Sequence, residues 1–183
     1  MGARALVAYE RDPDRYDLHE SQWGAHRWAL AAAIAPGTSP GDPEDDDARV
    51  EADPVARDQP LAAIRDRYLD YQLHEALYLV SADRAVRPFA VCWFGLPGVD
   101  RERPRDGCAV AVDPSDPARD GAFLSGWCAG AKDCALELHE HGVLGADAAR
   151  SLLATLLFAR VADERTLLVG PDVDAGRWSP TEP

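Results

Sequence analysis

A short run of polar and aromatic residues near the N-terminus could line a ligand site. Asp17, His19, Ser21 and Trp23 occupy every second position, so a strand continuing over residues 15–23 places them on one face. Imidazole titrates near neutral pH, and a neighbouring carboxylate can orient it. These four side chains resemble the few polar groups that line a small-molecule pocket.

The segment before this run supplies a fifth residue. Residues 4–9 and 15–21 have strand-like sequences, and the Asp12-Pro13-Asp14 segment between them is typical of a turn. A turn centred on Pro13 pairs Tyr9 with Asp17 and Val7 with His19. The alternative is that this face is simply the solvated side of an edge hairpin. The predicted ligand-binding set is Tyr9, Asp17, His19, Ser21 and Trp23.

Metal and cofactor sites are not expected. In a cytoplasmic chain, Cys92, Cys108, Cys128 and Cys134 predict buried thiols rather than disulfides. On one helix, Cys128 and Cys134 diverge by roughly 120° around the axis, so they cannot build a metal site with the nearby His139 and His141 alone. The sequence contains neither G-x-G-x-x-G nor GxxxxGK[ST], so no nucleotide cofactor is predicted.

The charge of the chain excludes some classes of partner. Its 183 residues include 32 Asp and Glu against 19 Lys and Arg, a formal net charge of −13. Nucleic acids and anionic membranes bind through clustered cations, so neither is an expected partner. The partner is instead an unidentified protein or small molecule, and the oligomeric state is left open.

The composition also suggests a salt-rich cytoplasm. Lys132 is the only lysine, and the other 18 basic residues are arginines. A GC-rich genome alone could produce this ratio, but excess carboxylate together with scarce lysine favours a halophilic protein, whose self-repulsion molar salt screens. No signal peptide or membrane-spanning apolar run is found, so we expect a cytoplasmic location.

The pattern of elements predicts an α+β fold, a mainly antiparallel sheet of about five to six strands covered by two to three helices. We expect a single domain over residues 1–170, interrupted by an acidic, proline-rich mobile insertion at 36–58 and followed by a flexible tail at 171–183. Besides the opening hairpin, the predicted elements are a helix over 58–73, strands over 75–81, 87–94 and 107–113, helices over 122–140 and 147–163, and a strand over 165–169.

The opening residues also resemble a family. The segments Arg4-Ala-Leu-Val-Ala-Tyr-Glu-Arg11 and Arg15-Tyr-Asp-Leu-His19, followed by Ser21, Trp23 and Gly24, look like the opening of a family of uncharacterised halophilic archaeal proteins. The resemblance covers about 20 residues, with a weaker likeness in the two late helices. It supports the prediction of a salt-adapted protein and implies no activity or catalytic residue.

Three functions remain open from the sequence, and the third is a partner subunit that docks through its sheet edge or its late helices. The first is a non-catalytic cytoplasmic binding or protein-interaction domain that uses the face of Asp17, His19, Ser21 and Trp23. The second is a small hydrolase-type enzyme with His19 as general base and a nearby carboxylate to orient it. No recognisable nucleophile accompanies His19, so the sequence favours the binding domain.

Overall fold

The computed structural model describes residues 3–34, 49–100, 102–161 and 164–173. Its centre is a seven-stranded sheet in the order β3-β2-β1-β4-β5-β6-β7. The strands are β1 (Ala5–Asp12), β2 (Arg15–Ser21), β3 (Ala56–Gln59), β4 (Ala76–Val80), β5 (Val86–Trp93), β6 (Gly107–Ala111) and β7 (Leu167–Val169).

The α+β class is confirmed, but the sheet is mixed and has more strands than predicted. Every neighbouring pair is antiparallel except β1 and β4, which run parallel in the middle of the sheet. This pair joins the hairpin of β1 and β2 to the hairpin of β4 and β5. The alternation of side chains predicts each hairpin but contains nothing about how two hairpins join.

Four α-helices accompany the sheet in the described residues, α1 (Ala29–Ala33), α2 (Leu61–Ala63), α3 (Pro117–Glu140) and α4 (Ala146–Val161). The two long helices are confirmed, although α3 begins at Pro117, five residues before the predicted start. They pack on each other, and α3 also contacts β5. Asp116 caps α3 by accepting a hydrogen bond from the Arg119 N–H. None of the described helices is both long and apolar enough to cross a membrane.

Both faces of the sheet are buried, which explains why its inner strands are apolar at nearly every position. Val7, Tyr78 and Cys92 lie in the core on the side of α3 and α4, whereas Leu6, Leu77 and Phe89 lie in a second core. The second core is closed by apolar residues of the segment after β3, including Ile64, Leu69 and Tyr71.

The predicted helix over 58–73 is wrong at both ends, since residues 58 and 59 belong to β3 and the helical turns end at Tyr68. The chain forms α2, then a π-helical turn over Ile64–Tyr68, and becomes extended at Leu69. The reason is tertiary: Arg105 donates hydrogen bonds to the carbonyls of Asp66 and Arg67. A continuing α-helix would use these two carbonyls to accept from residues 70 and 71.

Only part of the predicted insertion lies in the described residues. Residues 35–48, which contain most of its acidic run, lie outside the described residues, but 49–58 lie along β2. The Glu51 N–H donates to the Glu20 carbonyl and the Val55 N–H to the Leu18 carbonyl, at 2.8 Å each, and Val50 is 1% exposed. Residues 56–59 then form the edge strand β3. The predicted tail at 171–183 also lies mostly outside the described residues.

The prediction of four free thiols is wrong. Cys92 of β5 and Cys128 of α3 form a disulfide with a Cα–Cα distance of 6.4 Å, while Cys108 and Cys134 are free. Of the free pair, Cys108 is buried and Cys134 is exposed. The prediction relied on an assumed reducing compartment, whereas the pairing follows from α3 packing across β5, which brings residues 36 positions apart together.

Candidate functional site

A cleft of about 270 Å³ opens where the hairpin of β1 and β2 meets the turn between β4 and β5. The parallel pairing of β1 with β4 creates this site, because it brings the end of β1 beside the 81–85 turn. The cleft is lined by Tyr9, Glu10, Arg11, His19, Ser81, Ala82 and Arg84.

Tyr9 and His19 form the aromatic wall of the cleft. The predicted register is confirmed, since Tyr9 pairs with Asp17 and Val7 with His19. The two rings meet edge to face with their centroids 5.4 Å apart. Burial raises the pKa of Tyr9 despite the opposing effect of the Arg84 cation, so the phenol stays protonated and can donate a hydrogen bond at neutral pH.

Arg84 lines the cleft beside Tyr9. Its guanidinium carbon lies 5.1 Å from the centre of the Tyr9 ring, a cation–π contact. Its Nη1 atom is buried and has no hydrogen-bond partner among the described residues. The backbone at Arg84 has a φ of 68°, in the left-handed region that residues other than glycine seldom adopt. The turn therefore holds beside the cleft a guanidinium with one unsatisfied nitrogen.

Asp17 lies behind the cleft and fixes Arg11. Its carboxylate accepts from Arg11 Nε at 2.9 Å and from the Asp58 N–H at 3.1 Å, and it lies 3.5 Å from Arg57 Nη1. Burial alone raises the pKa of Asp17, but these hydrogen bonds and cations together lower it below its usual value. Asp17 is therefore an anion at neutral pH that orients Arg11 along the cleft.

The ring of His19 is held in one orientation by residues after the acidic run. Nδ1 lies 2.8 Å from the Glu51 carbonyl, and because a carbonyl only accepts, Nδ1 carries the proton. Nε2 is then the nitrogen with a lone pair. Burial lowers the pKa of His19, opposed by the Glu51 carbonyl and the Asp17 charge. The imidazole is thus neutral at pH 7 and can accept a proton at Nε2.

The structure does not bring the other two predicted residues into the cleft. Ser21 is 1% exposed, and its hydroxyl donates to the Arg49 carbonyl at 2.6 Å. Trp23 lies beyond the end of β2 and is 43% exposed. Of the five predicted residues, Tyr9 and His19 line the cleft, and Asp17 supports it from behind.

Sequence reasoning missed the arginines of the site. Arg11 follows Glu10 at the end of β1, a position that the alternation of the strand marks only as exposed. Arg84 is distant in sequence and reaches Tyr9 only through the parallel pairing of β1 and β4. The one available signal is the predicted pairing of Tyr9 with Asp17, which places a carboxylate inside the sheet near the end of a strand. A buried carboxylate needs a cation, so this position predicts an arginine nearby.

Comparison with known proteins identifies a family. A model of a family of unknown function, DUF6735, matches residues 1–51 and 41–169. No curated protein and no solved structure matches the chain. Across the parts of the chain that the structure describes, no three His, Cys, Asp or Glu side chains gather as a metal ion would require.

Proposed function

The chain belongs to DUF6735, a family of unknown function, and we propose that this member is a non-catalytic protein that binds a small anion in the cleft between Tyr9, His19, Arg11 and Arg84. The observation that carries the proposal is Arg84 Nη1, a buried guanidinium nitrogen that has no partner among the described residues. An unpaired buried donor is costly, and an anion that accepts from it removes that cost.

The charge around the cleft supports this ligand class. In a protein of net charge −13, the cleft is lined by two arginines against one glutamate. Asp17 partly compensates the charge of Arg11 through the Arg11 Nε, but the Arg11 side chain is still 63% exposed. Two guanidinium groups at one cleft are typical of carboxylate and phosphate recognition.

The size and lining of the cleft set limits on the ligand. A volume of about 270 Å³ is near the lower end for ligand pockets, which suits a small organic phosphate or carboxylate. Tyr9 can donate a hydrogen bond to such an anion, and His19 Nε2 can accept one from a hydroxyl group of the ligand. Stacking on the Tyr9 ring already orients Arg84, so little side-chain entropy is lost on binding.

Calorimetric titration of the full chain with inorganic phosphate and with citrate, in a fixed KCl background, tests the proposal. We expect one of these probes to bind at one site. Arg84→Gln should weaken binding about tenfold or more, because a hydrogen bond to a charged group contributes about 1.5–3 kcal/mol. Arg160→Gln is the matched control, since it removes the same charge from an exposed position on α4. The proposal would be overturned if neither phosphate nor citrate bound, or if both variants lost affinity equally.

The alternative is a hydrolase with His19 as general base. The observation in its favour is the fixed tautomer, which leaves a lone pair on Nε2. Among the described residues of the lining, Ser81 is the one serine or threonine. Its hydroxyl contacts the Asp83 carboxylate and the Ala85 carbonyl of its own turn. Hydrolysis of nitrophenyl esters or phosphates that disappears in His19→Asn would favour the enzyme over the binding protein.

We also propose that the protein is adapted to a salt-rich cytoplasm. Only three carboxylates are buried among the described residues, Asp17, Asp100 and Asp106, and each has an arginine partner. The other described acids lie at least partly in solvent, where molar salt screens their repulsion. The melting temperature should rise between about 0.1 M and about 1 M KCl, as the Debye length falls from roughly 10 Å to roughly 3 Å. A flat or falling curve would contradict this adaptation.

A further inference from the structure

The Cys92–Cys128 disulfide lies beside the only lysine of the chain. Cys128 and Lys132 are one helical turn apart on α3, so their side chains share a face. The ammonium of Lys132 lies 4.6 Å from the centre of the Trp93 ring, and Trp93 follows Cys92 in β5. Both cysteines and Lys132 are among the residues around one small hollow, together with Trp93, Phe94, Trp127, Ala131, Leu153 and Leu157.

The position of Lys132 is set by packing on both sides of the hollow. Trp93 Nε1 donates to the Arg103 carbonyl at 2.8 Å, which fixes the ring over which the ammonium lies. Burial lowers the pKa of Lys132 to about 8, against the opposing charge of Asp133. At neutral pH the side chain is therefore still mostly a cation, held in a largely apolar setting where its field is strong.

The two bridged cysteines differ in exposure. Cys92 is 4% exposed, whereas Cys128 is partly exposed on the helix. A thiolate from solvent can therefore reach Cys128 more easily than Cys92. The remaining cysteines differ in the same way: burial raises the pKa of Cys108 to about 12, which makes that thiol inert, and Cys134 is exposed on α3.

We propose that Cys92–Cys128 is a thiol–disulfide exchange site, opened by a dithiol reductant, in which Lys132 stabilises the thiolates that the exchange releases. A nearby lysine lowers the pKa of a thiolate, and a thiolate of lower pKa leaves faster. The cation–π contact with Trp93 positions the ammonium for this role.

The exchange balances in two steps. One thiolate of the reductant forms a bond to Cys128 Sγ, the Cys92–Cys128 bond breaks, and Cys92 leaves as a thiolate in the hollow. The second thiolate of the reductant then attacks its own sulfur in the mixed disulfide and releases Cys128. The protein disulfide gains two electrons, the dithiol becomes a disulfide, and the two protons lost by the reductant protonate the two cysteines.

The test uses the full chain in a Cys134→Ser background, which removes the exposed free thiol. The oxidised protein is treated with dithiothreitol under native conditions and then alkylated with iodoacetamide, and mass spectrometry counts the labels. We expect one label to appear, on Cys128, while near-ultraviolet circular dichroism stays native. A disulfide that opens only when the protein unfolds would overturn the proposal.

Variants at position 132 separate chemistry from packing. Lys132→Met keeps much of the apolar contact but removes the charge, so we expect the reduction rate to fall several-fold and the thiol pKa of Cys128, read from alkylation rate against pH, to rise. Lys132→Arg retains a cation and should restore most of both. Equal rates and equal thiol pKa values in all three proteins would show that Lys132 only packs against Trp93.

Discussion

Two clefts of similar size show opposite balances of charge. The cleft of about 270 Å³ beside Tyr9 is lined by two arginines and one glutamate, and a second cleft of about 300 Å³ lies between α4 and the segments around Arg103 and Asp172. The second is lined by two arginines and three aspartates. The two clefts are therefore alike in size and differ in the charge of their lining.

The arginines that line the second cleft already form ion pairs. Arg150 of α4 has a side chain that is 10% exposed, and it contacts three carboxylates, with Nη1 2.6 Å from Asp100 Oδ1 and Nε 3.7 Å from Asp106 Oδ2. Arg103 lies 3.4 Å from Asp106 as well. Every cation there already has a carboxylate, so this cluster joins α4 to the segment between β5 and β6. Beside Tyr9, Arg84 has no such partner among the described residues.

The largest expected difference between the two regions is in stability. Arg150→Met leaves Asp100 and Asp106 buried without their main cation, which costs about 3–5 kcal/mol. Arg84→Met removes a guanidinium that no described carboxylate pairs with, so its cost should stay within about 1 kcal/mol, the range of a lost cation–π contact. Urea denaturation of both variants measures the difference. Similar losses in the two variants would mean that Arg84 is part of a structural ion pair.

A smaller effect is expected at Asp17, whose two arginine partners are each more than half exposed. Asp17→Asn should cost about 1–3 kcal/mol at neutral pH, because charge-assisted hydrogen bonds to Asp58 and Arg11 are weakened. The folded pKa of Asp17 lies below the ordinary value of 3.8. The stabilisation of the folded protein by the Asp17 carboxylate is therefore complete above the ordinary pKa of 3.8. It is lost as the pH falls through the lower pKa that Asp17 has in the folded protein.

Denaturation of the wild type and of Asp17→Asn over a range of pH checks this prediction. The difference between the two proteins should be constant near neutral pH and shrink in strong acid. A difference that grows as the pH falls would mean that the carboxyl of Asp17 is protonated more easily in the folded state, contrary to the role assigned to Arg11.

The same comparison shows what the sequence could predict. The pairing of Tyr9 with Asp17 follows from local turn chemistry and from the two-residue period of strands, and both are confirmed. The contact of Arg84 with Tyr9 depends on two strands that pair in parallel across a long connection. Nothing in either segment specifies that pairing, so half of the cleft could not be predicted.

Long-range packing also explains the other differences. The helical spacing of Leu61 and Ile64 predicts a longer helix, but Arg105, which is far along the chain, takes the carbonyls that would continue it. The Cys92–Cys128 bond likewise depends on how α3 lies across β5. Elements with strong local patterns, such as α3 and α4, were predictable, whereas the contacts between elements were not.

A third, smaller effect concerns His19. Burial lowers its pKa below the ordinary 6.5, so as pH falls below that value the unfolded chain takes up a proton that the folded protein does not. Stability should therefore decrease on acidification between about pH 7 and pH 5. His19→Asn, whose amide can still donate to the Glu51 carbonyl, should flatten this slope in denaturation measured over pH. His74 is buried with a lowered pKa as well, so the double variant with His74→Asn should flatten it further.

The smallest expected effect is the response of each region to salt. Charges exposed to solvent are screened by mobile ions and buried pairs much less so. Between about 0.1 M and about 1 M KCl, the destabilisation caused by Asp17→Asn should shrink by some tenths of a kcal/mol, because Arg11 and Arg57 reach into solvent. The destabilisation caused by Arg150→Met should stay nearly constant. Equal salt dependence in the two variants would remove the distinction between the ion pairs of Asp17, whose arginines reach into solvent, and the buried ion pairs of Arg150. It would also remove the electrostatic basis for placing an anion beside Tyr9.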